Sequence, residues 1–216
     1  KRLKIGTDVF IYGFKSTSNW ETEITVALLE NFLISFYYGQ LRVKVQGREI
    51  NKKSLSRYVE RIHRERPGAT KGTYGNYLAL TRKEGVHTYS KNFHGMGTLE
   101  LSVLVDPNEK LDRKVLIVRK AGMKLFRLGN ISRLVPFTGI LELKGKNLNS
   151  YFPAMQPVAH DNWEPGRHPN PKQAKLYYEE IKEWIRGIVA ELAEHTSDDE
   201  LDVKGLGGVL QPELEM

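Results

Sequence analysis

The residues best suited to chemistry lie together in "KVLIVRKAGMKLFR", residues 114–127. An apolar run from Val115 to Val118 stops at Arg119-Lys120, passes Ala121-Gly122 and resumes as a second short run. Cations at a strand end are costly to bury without partners, so Arg119 and Lys120 must face solvent, a carboxylate or an anionic ligand. A surface hairpin with solvated cations meets that requirement, and so does a turn that presents charge to a phosphate. Around it lie Lys110, Arg113, Lys114, Lys124, Arg127 and Arg133, a concentration of cations able to contact nucleic-acid phosphates. Phe126 is the one aromatic residue among them, which is thin for the base stacking that single-strand binders use.

Other patterns carry less. "HGMGTLE" has two glycines beside a strand, whereas a phosphate cradle needs a glycine loop feeding a helix N-terminus. No P-loop and no Gly-x-Ser-x-Gly elbow occurs. Six histidines are scattered without the spacing that sets two on one helix face, so no metal site is expected. In "AHDNWEPGRH", His160 and Asp161 form a pair able to do acid-base chemistry. The alternative is that they cap a loop whose Trp163 packs on the core.

The elements that must position these groups belong to an ordinary globular chain of 216 residues, 40% hydrophobic and 27% charged, enough for one large domain or two small ones. The net charge of +7 permits a polyanionic partner, while Glu194, Asp198, Asp199, Glu200, Asp202, Glu213 and Glu215 make residues 196–216 and their approach an acidic tail or linker. Absence of cysteine removes disulfides, thiolate metal sites and thiol nucleophiles. No apolar run reaches the roughly 20 residues of a membrane helix, so a cytoplasmic protein without a membrane partner is expected.

Alternation in "IGTDVFIYGF" predicts a strand closing at Gly13. A helix follows from an Asn19 N-cap to about Tyr38, with Ile24, Leu28, Phe32 and Phe36 on its apolar face and Leu29 and Leu33 beside them, wide enough to be deeply buried. "LRVKV" predicts a strand, and Leu55, Tyr58, Val59 and Ile62 mark a second helix. "RERPGATKGTYG" reads as a loop before a short helix at Tyr77–Thr81. "TLELSVLVD", "KVLIVRK" and "FTGILELKG" predict strands, and a helix from about Gln173 to Glu194 carries Tyr177, Ile181, Trp184, Ile185, Ile188 and Leu192 on one stripe. The fold class is therefore α+β, a mixed or mostly antiparallel sheet backed by helices on one face.

"GTDVFIYGF" with the acidic helix after it, then "VLIVRKAGMKL" and "QPVAHDNWEPGR" before a Trp-containing helix, resembles GHKL (Bergerat-fold) ATPases of the MutL- and MORC-like bacterial type. The resemblance covers nearly the whole chain and implies a ribosomal-protein-like transducer domain at residues 15–195. Residues 1–14 would be the last strand of the ATPase domain. In that superfamily a transducer loop delivers a lysine, sometimes an arginine, to the terminal phosphate of ATP. Lys120 matches it, with Arg119 in reserve. The Glu base, magnesium Asn, Asp-x-Gly-x-Gly turn and glycine-rich lid are absent from the chain, so ATP and Mg would be held by an N-terminal ATPase domain in cis or in trans. The resemblance further implies a C-terminal region or split fragment of a dimeric parent, engaging DNA or a nuclease partner in restriction or phage defence. A stand-alone nucleic-acid-binding module with a basic face is the competing expectation.

Overall fold

The structure, a computed structural model, describes Gly13, residues 18–159 and 161–195, and the backbone of the last helix to Val203. The predicted strand at Gly6–Gly13 and His160 therefore lie outside the described residues, apart from Gly13 itself.

Helix α1 (Trp20–Tyr37) leads into a small hairpin, β1 (Val43–Val45) and β2 (Arg48–Ile50), and then α2 (Leu55–Glu65) and α3 (Pro67–Thr81). The main sheet follows as β3 (Val86–Asn92), β4 (Thr98–Val105), β5 (Lys114–Val118), β6 (Lys124–Leu128) and β7 (Phe137–Lys144). Short α4 (Lys146–Tyr151) and long α5 (Pro171–Val203) complete the chain. Strand order is β3-β4-β7-β5-β6, with β5 parallel to β7 and every other pair antiparallel. The fold is α+β with a mixed sheet.

Helices cover both faces of that sheet, where one face was expected. On one side Leu101, Val103, Val115, Ile117 and Leu141 pack against Ile181, Ile185 and Val189 of α5. Ile181, Ile185 and Val189 are fully buried, and each contributes about 1.5–3 kcal/mol of apolar burial. On the other side Leu104, Leu116, Val118 and Ile140 meet Ile34 of α1 and Leu78 and Ala79 of α3. This explains why Val115–Val118 is continuously apolar: a strand covered on both faces has no polar side to show. A third cluster joins Leu29, Leu33 and Phe36 of α1 to Tyr58, Val59 and Ile62 of α2.

Two local expectations change. The stretch read as a loop is helix α3, started by Pro67 at its first turn and including the expected Tyr77–Thr81 helix. Two of its glycines serve close packing, Gly75 against Leu111 and Thr138 and Gly72 against Asp112 and Arg127. In α1 the expected Leu29, Leu33 and Phe36 are buried, joined by Thr25, Ile34 and Ser35, and Leu28 and Phe32 are half-buried beside them, while Ile24 is exposed. Phe32 departs from helical geometry at φ −131° and ψ 18°. Asn19 occupies the N-cap position without a side-chain cap bond. Strand β3, unpredicted, has a mostly exposed face and lacks the alternation that would have marked it.

The Gly-rich "HGMGTLE" segment is the β3–β4 turn, pinned to α5. Lys91 Nζ and His94 Nε2 contact the two Glu180 carboxylate oxygens at 2.8 and 2.7 Å, and the His94 ring stacks on Tyr177. Burial pushes the Glu180 pKa up, but the hydrogen bonds and charges of Lys91 and His94 outweigh it and hold it below the usual glutamate value. Its stabilising share is therefore present above the unfolded value near 4.3 and lost as pH falls through the lower folded value. Urea melts of wild type and Glu180→Gln should differ at about pH 6 and converge at about pH 3. A gap independent of pH contradicts this clamp.

Candidate functional site

The β5–β6 turn is built by two backbone bonds, Arg119 N–H to Met123 O at 3.0 Å and Gly122 N–H to Arg119 O at 2.7 Å. Gly122 has φ +72° and is buried against α1; a Cβ there would lie 2.7 Å from the Ser35 backbone nitrogen. Only glycine satisfies both the left-handed conformation and that approach. Ser35 Oγ–H donates to Ala121 O at 2.6 Å, fastening the turn to the helix. On the opposite flank, Lys120 N–H donates to Asn149 Oδ1 at 3.2 Å, and the Asn149 amide donates to Leu143 O and Gly145 O at 2.7 and 2.8 Å.

The two cations of the turn thus have different fates. Arg119 Nη2 donates to Gln156 Oε1 at 2.8 Å, so this guanidinium is half-buried and structurally engaged. Lys120 is exposed, and its ammonium has no ion-pair partner among the described residues. It borders a hollow of about 440 Å³ shared with Tyr38, Gln40, Glu142, Lys144 and Gly145. Across that hollow Tyr38 OH donates to Glu142 Oε1 at 2.7 Å, and burial followed by that carboxylate pushes the phenol pKa up. Lys124, two residues past the turn, pairs with Glu30 of α1.

The remaining basic residues separate from this turn. Arg113, Lys114, Arg127 and Arg133 gather with Asp112 around a second hollow of about 830 Å³ at the other end of the hairpin. Four strand steps, about 13 Å, separate Lys114 from Val118. Lys110 is exposed outside it, and Lys124 is at the turn. Arg113 has φ +55° and donates through Nε to Val135 O at 3.2 Å; Asn130, also lining the hollow, has φ +57°. Left-handed non-glycine residues are uncommon, and two on one rim mark a strained, over-determined loop pair.

Arg127 is the least available of these cations. Its Nη1 donates to Asn76 Oδ1 at 2.6 Å and lies 3.4 Å from Asp112 Oδ2. Asn76, fully buried on α3, donates in turn to Thr138 Oγ1 and Gly139 O at 3.1 and 3.0 Å, while Thr138 Oγ–H reaches Asp112 Oδ1 at 3.2 Å. Burial lowers the Arg127 pKa, and Asp112 and then Glu30 oppose it. Gly72 admits this pair, since a Cβ there would sit 2.5 Å from the Asp112 carboxylate and 2.7 Å from the Arg127 guanidinium carbon. Arg127 thus lines the hollow with its guanidinium already committed to Asn76 and Asp112, whereas Arg113, Lys114 and Arg133 line it without an ion pair among the described residues.

Asn76, Thr138, Ser35 and Asn149 escaped sequence reading because each acts through a partner between 29 and 86 residues away. The loop residue Asp161 is exposed, and Trp163 is buried against Phe126 and Phe152, the core packing expected of that residue in the alternative reading of the segment. Among the described residues no group of three or more His, Asp or Glu side chains could hold a metal, and no helix is long and apolar enough to cross a membrane. No family model matches the chain, and no curated protein matches its sequence.

Two substitutions check this site. Gly122→Ala should destabilise by about 2 kcal/mol or more, lowering the melting temperature by about 4–8 °C, because strain and clash add. Asn76→Leu, which strands the Arg127 guanidinium, should cost about 2–4 kcal/mol in denaturant melts. Wild-type stability in either variant contradicts the packing described.

Proposed function

We propose that the chain is the transducer region of a GHKL-type ATPase, with Lys120 as the cation that meets the terminal phosphate of ATP. One observation carries the reading: Lys120 is an exposed ammonium with no ion-pair partner among the described residues, on a turn seated backbone-to-backbone against α1. α1 begins a few residues after the segment resembling the last strand of the ATPase domain. A charge sensor fixed to the element nearest the nucleotide domain is suited to relaying occupancy. An ammonium so placed would neutralise charge that develops on the transferred phosphoryl group. Arg119 is the weaker candidate, since its guanidinium is held by Gln156.

ATP and Mg would be bound by an ATPase domain in cis or in trans, and this chain would couple their turnover to dimerisation and to engagement of DNA or a nuclease, in restriction or phage defence. The Arg113–Lys114–Arg133 hollow favours a second reading, a nucleic-acid-binding module with no nucleotide chemistry.

ATP turnover by the gene's full product, with and without DNA, separates them. Lys120→Ala should reduce the rate by about two orders of magnitude, and the 216-residue chain alone should turn over none. An unchanged rate in Lys120→Ala removes the assignment. Absence of turnover together with ATP-independent, salt-sensitive DNA binding leaves the binding module in its place.

A further inference from the structure

Between Arg42 and Arg66 stand nine Lys and Arg against three Asp and Glu, an excess nearly as large as the net +7 of the whole chain. The fold gathers part of it on one surface, remote in sequence from the hairpin cations. Helix α2 buries Leu55, Tyr58, Val59 and Ile62, leaving Arg57, Arg61 and Arg64 on an outer stripe at i, i+4 and i+7. Arg48 of the β1–β2 hairpin joins them: a hollow of about 390 Å³ is lined by Arg48, Glu49, Arg57, Tyr58 and Arg61. The guanidinium carbons of Arg57 and Arg61 lie 5.4 and 5.0 Å from the Tyr58 ring centre, so the aromatic ring orders both.

These charges are poorly neutralised. The nearest carboxylates stand 3.6 Å from Arg48 and 3.9 Å from Arg61, beyond hydrogen-bond reach, and Arg57 has no ion pair among the described residues. Arg61 Nε is buried with no hydrogen-bond partner. Glu49 lies 3.9 Å from both Arg42 and Lys44. By contrast, Arg82 is saturated by Asp106 and Glu109 at 2.7 and 2.5 Å. Ordered, unsaturated guanidinium forks suit oxyanions with paired acceptor oxygens.

We infer that the β1–β2 hairpin and the outer face of α2 bind the phosphodiester backbone of nucleic acid. A single small anion could engage only part of the stripe. From Arg57 to Arg64 the helix rises about 10 Å, a span that reaches more than one phosphate of a polyanion whose charge recurs every roughly 3.4 Å of duplex axis on each strand. Contacts of this kind position a duplex without reading its sequence. The inference does not depend on the ATPase reading, and its test uses no nucleotide.

Fluorescence anisotropy of a short labelled DNA duplex, titrated with the 216-residue chain over a range of salt, reads the interaction. Arg48→Gln/Arg57→Gln/Arg61→Gln should weaken binding by about tenfold or more and flatten the log–log salt slope by about 2–3, near 0.9 for each phosphate no longer neutralised. Arg48→Gln/Arg57→Gln alters only exposed side chains and should flatten the slope by about 2, which guards against a folding defect in the triple variant. Wild-type affinity and slope in both variants overturn the inference. So does a wild-type chain that fails to bind the duplex, or one whose Arg48–Arg61 hollow takes inorganic phosphate alone.

Discussion

The contact on which the site depends is the seating of Gly122 against the backbone of Ser35. Backbone-to-backbone approach without an intervening Cβ places the β5–β6 turn on α1 with little freedom to slide. The Ser35 hydroxyl bond to Ala121 and the Asn149 bond to the Lys120 amide then fix the turn from two sides. Arg119 is drawn toward Gln156 and Lys124 toward Glu30, which leaves Lys120 as the turn's free charge among the described residues. Its location is accordingly set by the helix rather than by the strands that carry it. A displacement of α1 would carry the ammonium with it.

The other end of the hairpin is governed by a different constraint. Asn76, Thr138, Asp112 and Arg127 form a satisfied polar layer between α3 and the sheet, where an unpaired guanidinium would be strongly destabilising. Gly72 and Gly75 let α3 approach closely enough to close it. This layer occupies the Arg127 guanidinium, while Arg113, Lys114 and Arg133 line the same hollow outside it. Cations of one sequence cluster thus have different surroundings, a buried carboxamide and a carboxylate for Arg127 and solvent for Lys114 and Arg133.

Much of the architecture was legible in the sequence. The apolar run Val115–Val118 marked a strand, though not its cover on both faces, and the Ile181–Ile185–Leu192 stripe marked α5. Helix α3 was obscured because its Gly and Thr residues, among them Gly75 against Leu111 and Thr138 and Gly72 against Asp112 and Arg127, carry the composition of a loop. At the site, the cations of the turn could be singled out from charge adjacent to an apolar run. Their division into free Lys120, engaged Arg119 and buried Arg127 could not, because Gln156, Asn149 and Asn76 are distant along the chain.

Amide hydrogen exchange of the gene's full product, with and without a non-hydrolysable ATP analogue and Mg, tests the proposed coupling most directly. The account predicts that residues 119–124 and the Ile34–Tyr38 end of α1 slow their exchange together when nucleotide binds, because the turn and the helix move as one unit. Nucleotide binding that protects other segments while leaving both of these unchanged would contradict it.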